Sequence, residues 1–302
     1  MRTSNLLLAI LATAILSACG GEKAETVAPK QAASDIDTSM IKEEIGEELY
    51  DRTKSMFYAM PTPLELQSLI EQSGGFFRED LLADPQKSTD YQTKEQEAFA
   101  LGVFGTDMSY STVFDQQQDA LLYMAAAQRV AKKMGIRDPF NATLMERADK
   151  NQANKDSMLL IVSEIYWELN SQLQDENRNQ IGLIVLAAGW VEGVFLGSKI
   201  LEEGSPNPEM ERVIADQRFI ASQLDALFKD YANDPFIAQT ESRFRSLVDR
   251  LLALPVSESP TTTRKEGGKT VIGGATTVDY TQEDLADIIR IAEETRNNII
   301  AL

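Results

Sequence analysis

Apolar residues recur along most of this chain at spacings of three and four, the pattern of helices that bury one face. The first such stripe is Ile41, Ile45, Leu49 and Met56, with acidic residues opposite. Met60-Pro61-Thr62-Pro63 interrupts it. Thr62 suits an N-cap and Pro63 a first helical position, so a second helix is expected from Pro63 to about Gln72, closed by Gly74-Gly75. A connection follows, with Phe76, Phe77, Leu81 and Leu82 as its docking contacts. The periodicity then predicts helices over 92–112, 115–134, 140–152, 155–174, 177–203 and 206–230, and a shorter one over 237–253. Gly135 reads as a left-handed C-cap. Ser205-Pro206 reads as a helix start, and Asn233-Asp234-Pro235 as a break before Phe236. No fixed-period repeat is visible, which leaves a bundle of antiparallel helical hairpins.

The pattern changes near the C-terminus. Pro255 to Gly268 is rich in Ser, Thr and Pro and reads as loop. Thr270 to Val278 predicts two short strands around Gly273-Gly274, a hairpin at about 269–279. One hairpin is marginal in water, so it is expected to pack on the helices. Thr281, with Asp284 three residues on, opens a last helix at about 281–300. Its apolar face is Leu285, Ile288, Ile289, Ala292 and Ile299. The expected fold class is therefore all-α, a helical bundle with one small C-terminal β-hairpin in a single domain spanning 37–302.

Two helices carry the densest information. From Ala98 to Tyr110, small and apolar residues surround one carboxylate, Asp107. From Ile181 to Gly197 the chain is almost wholly apolar apart from Glu192, and Gly189, Gly193 and Gly197 fall four apart on one face. A glycine inside a helix costs up to about 1 kcal/mol against alanine, so three in register need a reason. Close approach of another helix is the simplest. A nearly all-apolar segment suits a buried central helix, and a stretch this short with a glutamate inside suits a membrane span poorly.

The chain begins with a charged Arg2, an apolar run from Leu6 to Leu16, and Leu16-Ser17-Ala18-Cys19-Gly20. That sequence describes a secretory signal over 1–18. Its ending resembles the lipobox of bacterial lipoproteins. The resemblance implies cleavage before Cys19, acylation of that residue and attachment to the lipid bilayer. With Gly20 rather than aspartate next, it implies sorting to the outer membrane of a two-membrane bacterium. Residues 19–36 have the composition of a disordered tether.

Composition narrows the function. The formal charge of −18 repels nucleic acid and anionic headgroups. The chain contains no histidine and one cysteine, which excludes histidine-based triads and the common histidine-ligated metal sites. No metal or cofactor is expected. Asp107 and Glu192 are the candidate catalytic residues, since buried carboxylates have raised pKa values and a pair can divide acid and base roles. The structural alternative, in which each bonds a backbone N–H or a nearby Tyr or Ser, weighs more. Tyr166-Trp167 and Trp190 could floor a ligand groove, with core packing the favoured reading. Glu241-Ser242-Arg243-Phe244 matches the Glu-Ser-x-Phe start of lytic transglycosylases. The Gly-Ala and Gly-Leu-Met-Gln pattern that should follow is replaced by Ser246-Leu247-Val248-Asp249-Arg250, an ordinary helix.

A broader likeness covers about residues 56–200. Met60-Pro61-Thr62-Pro63-Leu64-Glu65, Gly74-Gly75-Phe76, the run Ala100 to Tyr110, and Ala188-Gly189-Trp190-Val191-Glu192-Gly193 resemble a family of helical lipoproteins from Bacteroidetes-type bacteria. The resemblance implies a fold and an envelope address and brings no catalytic residues. The expectation is an outer-membrane-anchored lipoprotein, facing the periplasm or the outside. It would act as a non-catalytic binding or scaffolding module with an envelope protein as partner. The alternative is a carboxylate-based hydrolase of cell-wall or glycan substrates.

Overall fold

The nearly all-apolar segment forms one long helix, and most other elements are ordered by what they lay against it. A computed structural model of the chain describes residues 62–258, 262–266, 269–273 and 276–301. The expected signal, Cys19, the tether and the stripe Ile41, Ile45, Leu49, Met56 lie outside the described residues. The helices are α1 (Pro63–Gln72), α2 (Lys94–Val113), α3 (Gln117–Lys133), α4 (Ala142–Asn151), α5 (Lys155–Asp175) and α6 (Asn179–Glu203). After them come α7 (Pro208–Ala215), α8 (Gln217–Asp230), α9 (Pro235–Thr240), α10 (Arg245–Leu252) and α11 (Gln282–Ile300). By length and composition α6 could cross a membrane, but 94% of its most apolar stretch is buried inside the protein. It touches α1, α2, α5, α7, α8, α9 and α11, which is why it is apolar on every side.

The glycines explain how neighbours come so close. A Cβ at Gly102 would lie 2.3 Å from the Val185 carbonyl oxygen and 2.8 Å from the Gly189 nitrogen, so α2 and α6 cross backbone against backbone. Thr106 Oγ1 donates across this crossing toward the Gly189 carbonyl at 3.0 Å. Along the ridge, added Cβ atoms would meet Pro63 at 3.3 Å from Gly189, Leu66 at 2.7 Å from Gly193 and Ile70 at 3.0 Å from Gly197. The ridge is thus the seat of α1, in agreement with the close approach expected from its spacing.

Local signals set many ends. Thr62 and Glu65 form a capping box with Pro63 in the first turn, and Thr281 and Asp284 form another. Gly74 and Gly135 adopt φ of +83° and +78° at the ends of α1 and α3. Elsewhere tertiary contacts moved the boundaries. The helix expected over 206–230 starts later, because Asn207 rather than Ser205 is the cap. Its Oδ1 accepts the Met210 N–H at 3.1 Å while its Nδ2 donates to the Ser73 carbonyl at 2.5 Å. The same helix divides at Asp216, where Phe219 N–H bonds back to the Asp216 carbonyl at i+3 spacing. That tight turn re-aims α8 so that Ile220, Leu224 and Leu227 reach the core. The break expected at Asn233-Asp234-Pro235 falls between α8 and α9, and Asp234 caps the Phe236 and Ile237 amides so that α9 opens at Pro235. The expected 237–253 helix becomes α9, a 3-10 turn over Glu241–Arg243, and α10. Phe244 follows that turn, fully buried between the rings of Phe99 and Phe228.

The C-terminal β-hairpin is present in a different register. Among the described residues four strands occur: β1 (Val256–Glu258), β2 (Thr262–Glu266), β3 (Lys269–Gly273) and β4 (Thr276–Val278). The two strands expected to pair across Gly273-Gly274 are β3 and β4, and they are not partners. β3 pairs antiparallel with β2, and β4 with β1, so half of the hairpin comes from the segment read as loop. The β-branched Thr262-Thr263 makes β2 a competent partner. The register Glu266↔Lys269 leaves only Gly267 and Gly268 between the strands in sequence. Val278 is buried, and its carbonyl accepts from Arg212 of α7 at 3.1 Å.

Candidate functional site

The α2–α6 crossing brings the two nominated carboxylates together. Asp107 follows Gly102 by five residues on α2, and Glu192 follows Gly189 by three on α6. Both are 0% exposed. A third group arrives from the C-terminal helix. Arg296 Nε donates to Glu192 Oε2 at 2.9 Å and its Nη2 to Oε1 at 3.4 Å. The guanidinium lies 4.8 Å over the ring of Phe195 and also donates to the Leu81 carbonyl at 3.1 Å.

Burial fixes the protonation pattern. Loss of solvent pushes the Asp107 carboxyl well above the usual carboxylate range, and the charge of Glu192 pushes it further, against the pull of Arg296 and the Ala83 N–H. Burial also raises Glu192, while Arg296 and the bond from Asp107 draw it down. Asp107 is therefore the member that holds a proton. Its Oδ2 accepts the Ala83 N–H at 3.1 Å and Oδ1 meets no donor, so the bond between the two acids is one that the protonated Asp107 carboxyl donates to Glu192. The arrangement is a neutral acid, an anion and a cation, with no net charge buried.

The connection between α1 and α2 closes over this trio. It contains 3-10 turns at Glu79–Leu81 and Pro85–Thr89. Leu81 supplies the carbonyl on Arg296 and Ala83 the amide on Asp107, while the Ala83 carbonyl accepts Tyr123 Oη at 2.9 Å. Upstream, Phe77 stacks on Tyr110 with centroids 5.1 Å apart. Burial raises the Tyr91 and Tyr123 hydroxyls, and the two acids add to it. Beneath this strap both acids are without solvent contact. The trio joins α2, α6 and α11. Among the described residues no group of three metal-ligating side chains forms.

Open space lies elsewhere. A groove of about 260 Å³ runs between α5 and α6. Tyr166, Trp167 and Leu173 of α5 line one wall, Val185 and Leu186 of α6 the other, and Thr62 and Pro63 close one end. Trp167 is 47% exposed, which corrects the core reading for that residue. Trp190 does belong to the core, donating from Nε1 to Gln217 Oε1 at 3.0 Å.

Sequence reasoning found both carboxylates and missed Arg296 and Ala83. A signal existed for the arginine, because Leu285, Ile288, Ala292 and Ile299 define a stripe on which position 296 falls. Nothing marked Ala83, which acts through its backbone. Set beside family models, curated proteins and solved structures, the chain matches none of them.

Proposed function

We propose that this chain is an outer-membrane-anchored lipoprotein whose helical body works as a non-catalytic binding or scaffolding module of the cell envelope. It is held to the bilayer through acylated Cys19 and serves an envelope protein partner. The observation that carries the non-catalytic reading is the complete burial of Asp107 and Glu192, with the charge of Glu192 answered by Arg296. The anchor rests on Leu16-Ser17-Ala18-Cys19 after an apolar run. Two acyl chains or more hold a bilayer stably where one does not.

The test is complementation of a deletion strain with Asp107→Asn and Glu192→Gln, scored per molecule of protein on immunoblots, beside labelling of the wild type and Cys19→Ser with a fatty-acid analogue. Activity per molecule should survive both acid substitutions, and labelling should vanish with Cys19→Ser. A variant as abundant and stable as the parent yet inactive would replace this reading with the hydrolase. Undiminished labelling of Cys19→Ser would remove the anchor.

A further inference from the structure

We propose that the C-terminal end of α6 is a docking surface for a basic protein segment in which apolar side chains alternate with Lys or Arg. Two hollows adjoin there. One, of about 630 Å³, is lined by Phe76, Leu201, Pro206, Pro208 and Met210, and its volume falls within the range of ligand sites. The other, of about 270 Å³, lies between α6 and α11 and is lined by Leu285, Ala286 and Ile289. Leu201, Gly204 and Pro206 belong to both, so the two hollows form one trough. The Phe76 carbonyl accepts from Tyr110 Oη at 2.9 Å, yet the Phe76 ring is 42% exposed beside the trough. The wall between α6 and α7 is fixed before anything binds. Asn207, set between two prolines, donates to the Ser73 carbonyl and caps the Met210 amide. Docking against such a wall orders little that is not already ordered.

Charge selects the occupant. The charged residues lining the two hollows are Glu202, Glu209 and Glu211, with no Lys or Arg among the described lining. Nearby, Glu202 shares Lys199 with Glu293, and Glu203 pairs with Arg78, which also serves Asp80. Glu211 meets neutral donors, Gln282 Nε2 at 3.2 Å and Tyr280 Oη at 3.5 Å. Its neighbour Arg212 turns to Asp216 and to the Val278 carbonyl. Glu209 is exposed in the first turn of α7. To these α6 adds the negative end of a 25-residue helix with no basic residue in its last turn. An apolar floor with an acidic rim suits one occupant that carries both chemistries. A second copy of this chain, at −18, meets the rim with the wrong sign, as do anionic headgroups and nucleic acid. A Lys or Arg of the docked segment would lie against Glu209 and Glu211, with an apolar neighbour over Leu201 and the Phe76 ring. This surface rests on the scaffold reading, for which it supplies the partner's chemistry.

The experiment follows the fluorescence anisotropy of a labelled peptide of alternating Lys and Leu, blocked at both ends, against residues 19–302 carrying Cys19→Ser. Saturable binding is expected at physiological ionic strength. Peptides of alternating Lys and Ser, or Glu and Leu, should bind at least about tenfold more weakly. Glu209→Lys with Glu211→Lys, and separately Phe76→Ser, should each weaken the Lys-Leu peptide about tenfold with far-UV circular dichroism unchanged. Glu146→Lys with Asp149→Lys, exposed on α4, changes the net charge equally and should hold binding within about twofold. No saturable binding, equal affinity for the Lys-Ser peptide, an equal loss in the α4 pair, or full binding by Phe76→Ser would each overturn the proposal. A parent that sediments as a dimer which Phe76→Ser dissociates would give the surface to a second copy and also overturn it. Absent peptide binding, with Asp107→Asn and Glu192→Gln still complementing the deletion strain, would overturn this proposal and leave the scaffold reading standing. Those acid variants inactive at normal abundance, beside intact peptide binding, would overturn that reading instead.

Discussion

Gly102→Ala and Gly197→Ala add the same methyl group to a helix crossing, and their consequences should differ sharply. Alanine gains about 0.8–1.0 kcal/mol over glycine in helix propensity at either position. Against this stands overpacking, which typically costs about 1–3 kcal/mol. At Gly102 the new Cβ would sit 2.3 Å from the Val185 carbonyl oxygen and 2.8 Å from the Gly189 nitrogen. Ordinary contact needs about 3.5–4.0 Å. Both obstacles are backbone, so α2 and α6 must part by more than about 1 Å. That places Gly102→Ala at the top of the range, at about 3 kcal/mol, and the net loss at about 2 kcal/mol. At Gly197 the nearest atoms are the Cδ1 methyls of Ile214 at 2.9 Å and Ile70 at 3.0 Å. Those are ends of flexible side chains, and a cost of about 1 kcal/mol is offset by the propensity gain. Thermal melts of residues 19–302 with Cys19→Ser, followed by far-UV circular dichroism, read the contrast. Gly102→Ala should melt about 4–8 °C below the parent, and Gly197→Ala beside it. A Gly102→Ala that melts with the parent, or a Gly197→Ala that falls as far, would refute the backbone-crossing account.

The buried trio yields the remaining predictions. Arg296→Met leaves Glu192 buried without its cation and should cost about 3–5 kcal/mol in urea unfolding. Adding Glu192→Gln should restore most of that loss, and a double variant no better than the single would refute the ion pair. Asp107 has its folded pKa raised above the ordinary 3.8, so the native state keeps a proton that the unfolded chain releases. The stability this contributes is complete below that ordinary value and is lost as pH rises through the folded pKa. Asn can still accept from Ala83 and donate to Glu192, so Asp107→Asn should remove this pH slope and gain on the parent as pH climbs. Identical slopes in urea titrations across the acid-to-neutral range would contradict the assignment of the proton to Asp107.

Much of this protein was legible without coordinates wherever the cause is local. A cap depends on residues three apart, so Thr62 with Glu65 and Thr281 with Asp284 announce their helices. The left-handed turn at Gly135 depends on one missing Cβ. Even the glycine ridge of α6 could be read, because three costly residues on one helical face imply a close neighbour. Which neighbour was another matter, since α1 and α2 share it and both lie far away in sequence. Choices between equivalent local signals were also left open. Ser205-Pro206 and Asn207-Pro208 obey the same grammar, and a bond to Ser73, 134 residues distant, accompanies the second. Strand pairing belongs to the same class: β3 and β4 were visible as strands, while their partners depended on a register closed across the hairpin. The carboxylates were visible as oddities in apolar helices, but their fate was not. Arg296 stands 104 residues from Glu192, and Ala83 meets Asp107 through a backbone amide that any residue except proline would offer. Whether a buried acid is a reagent or a fastening is decided by solvent access and by the charge beside it, and both arise only when distant helices meet.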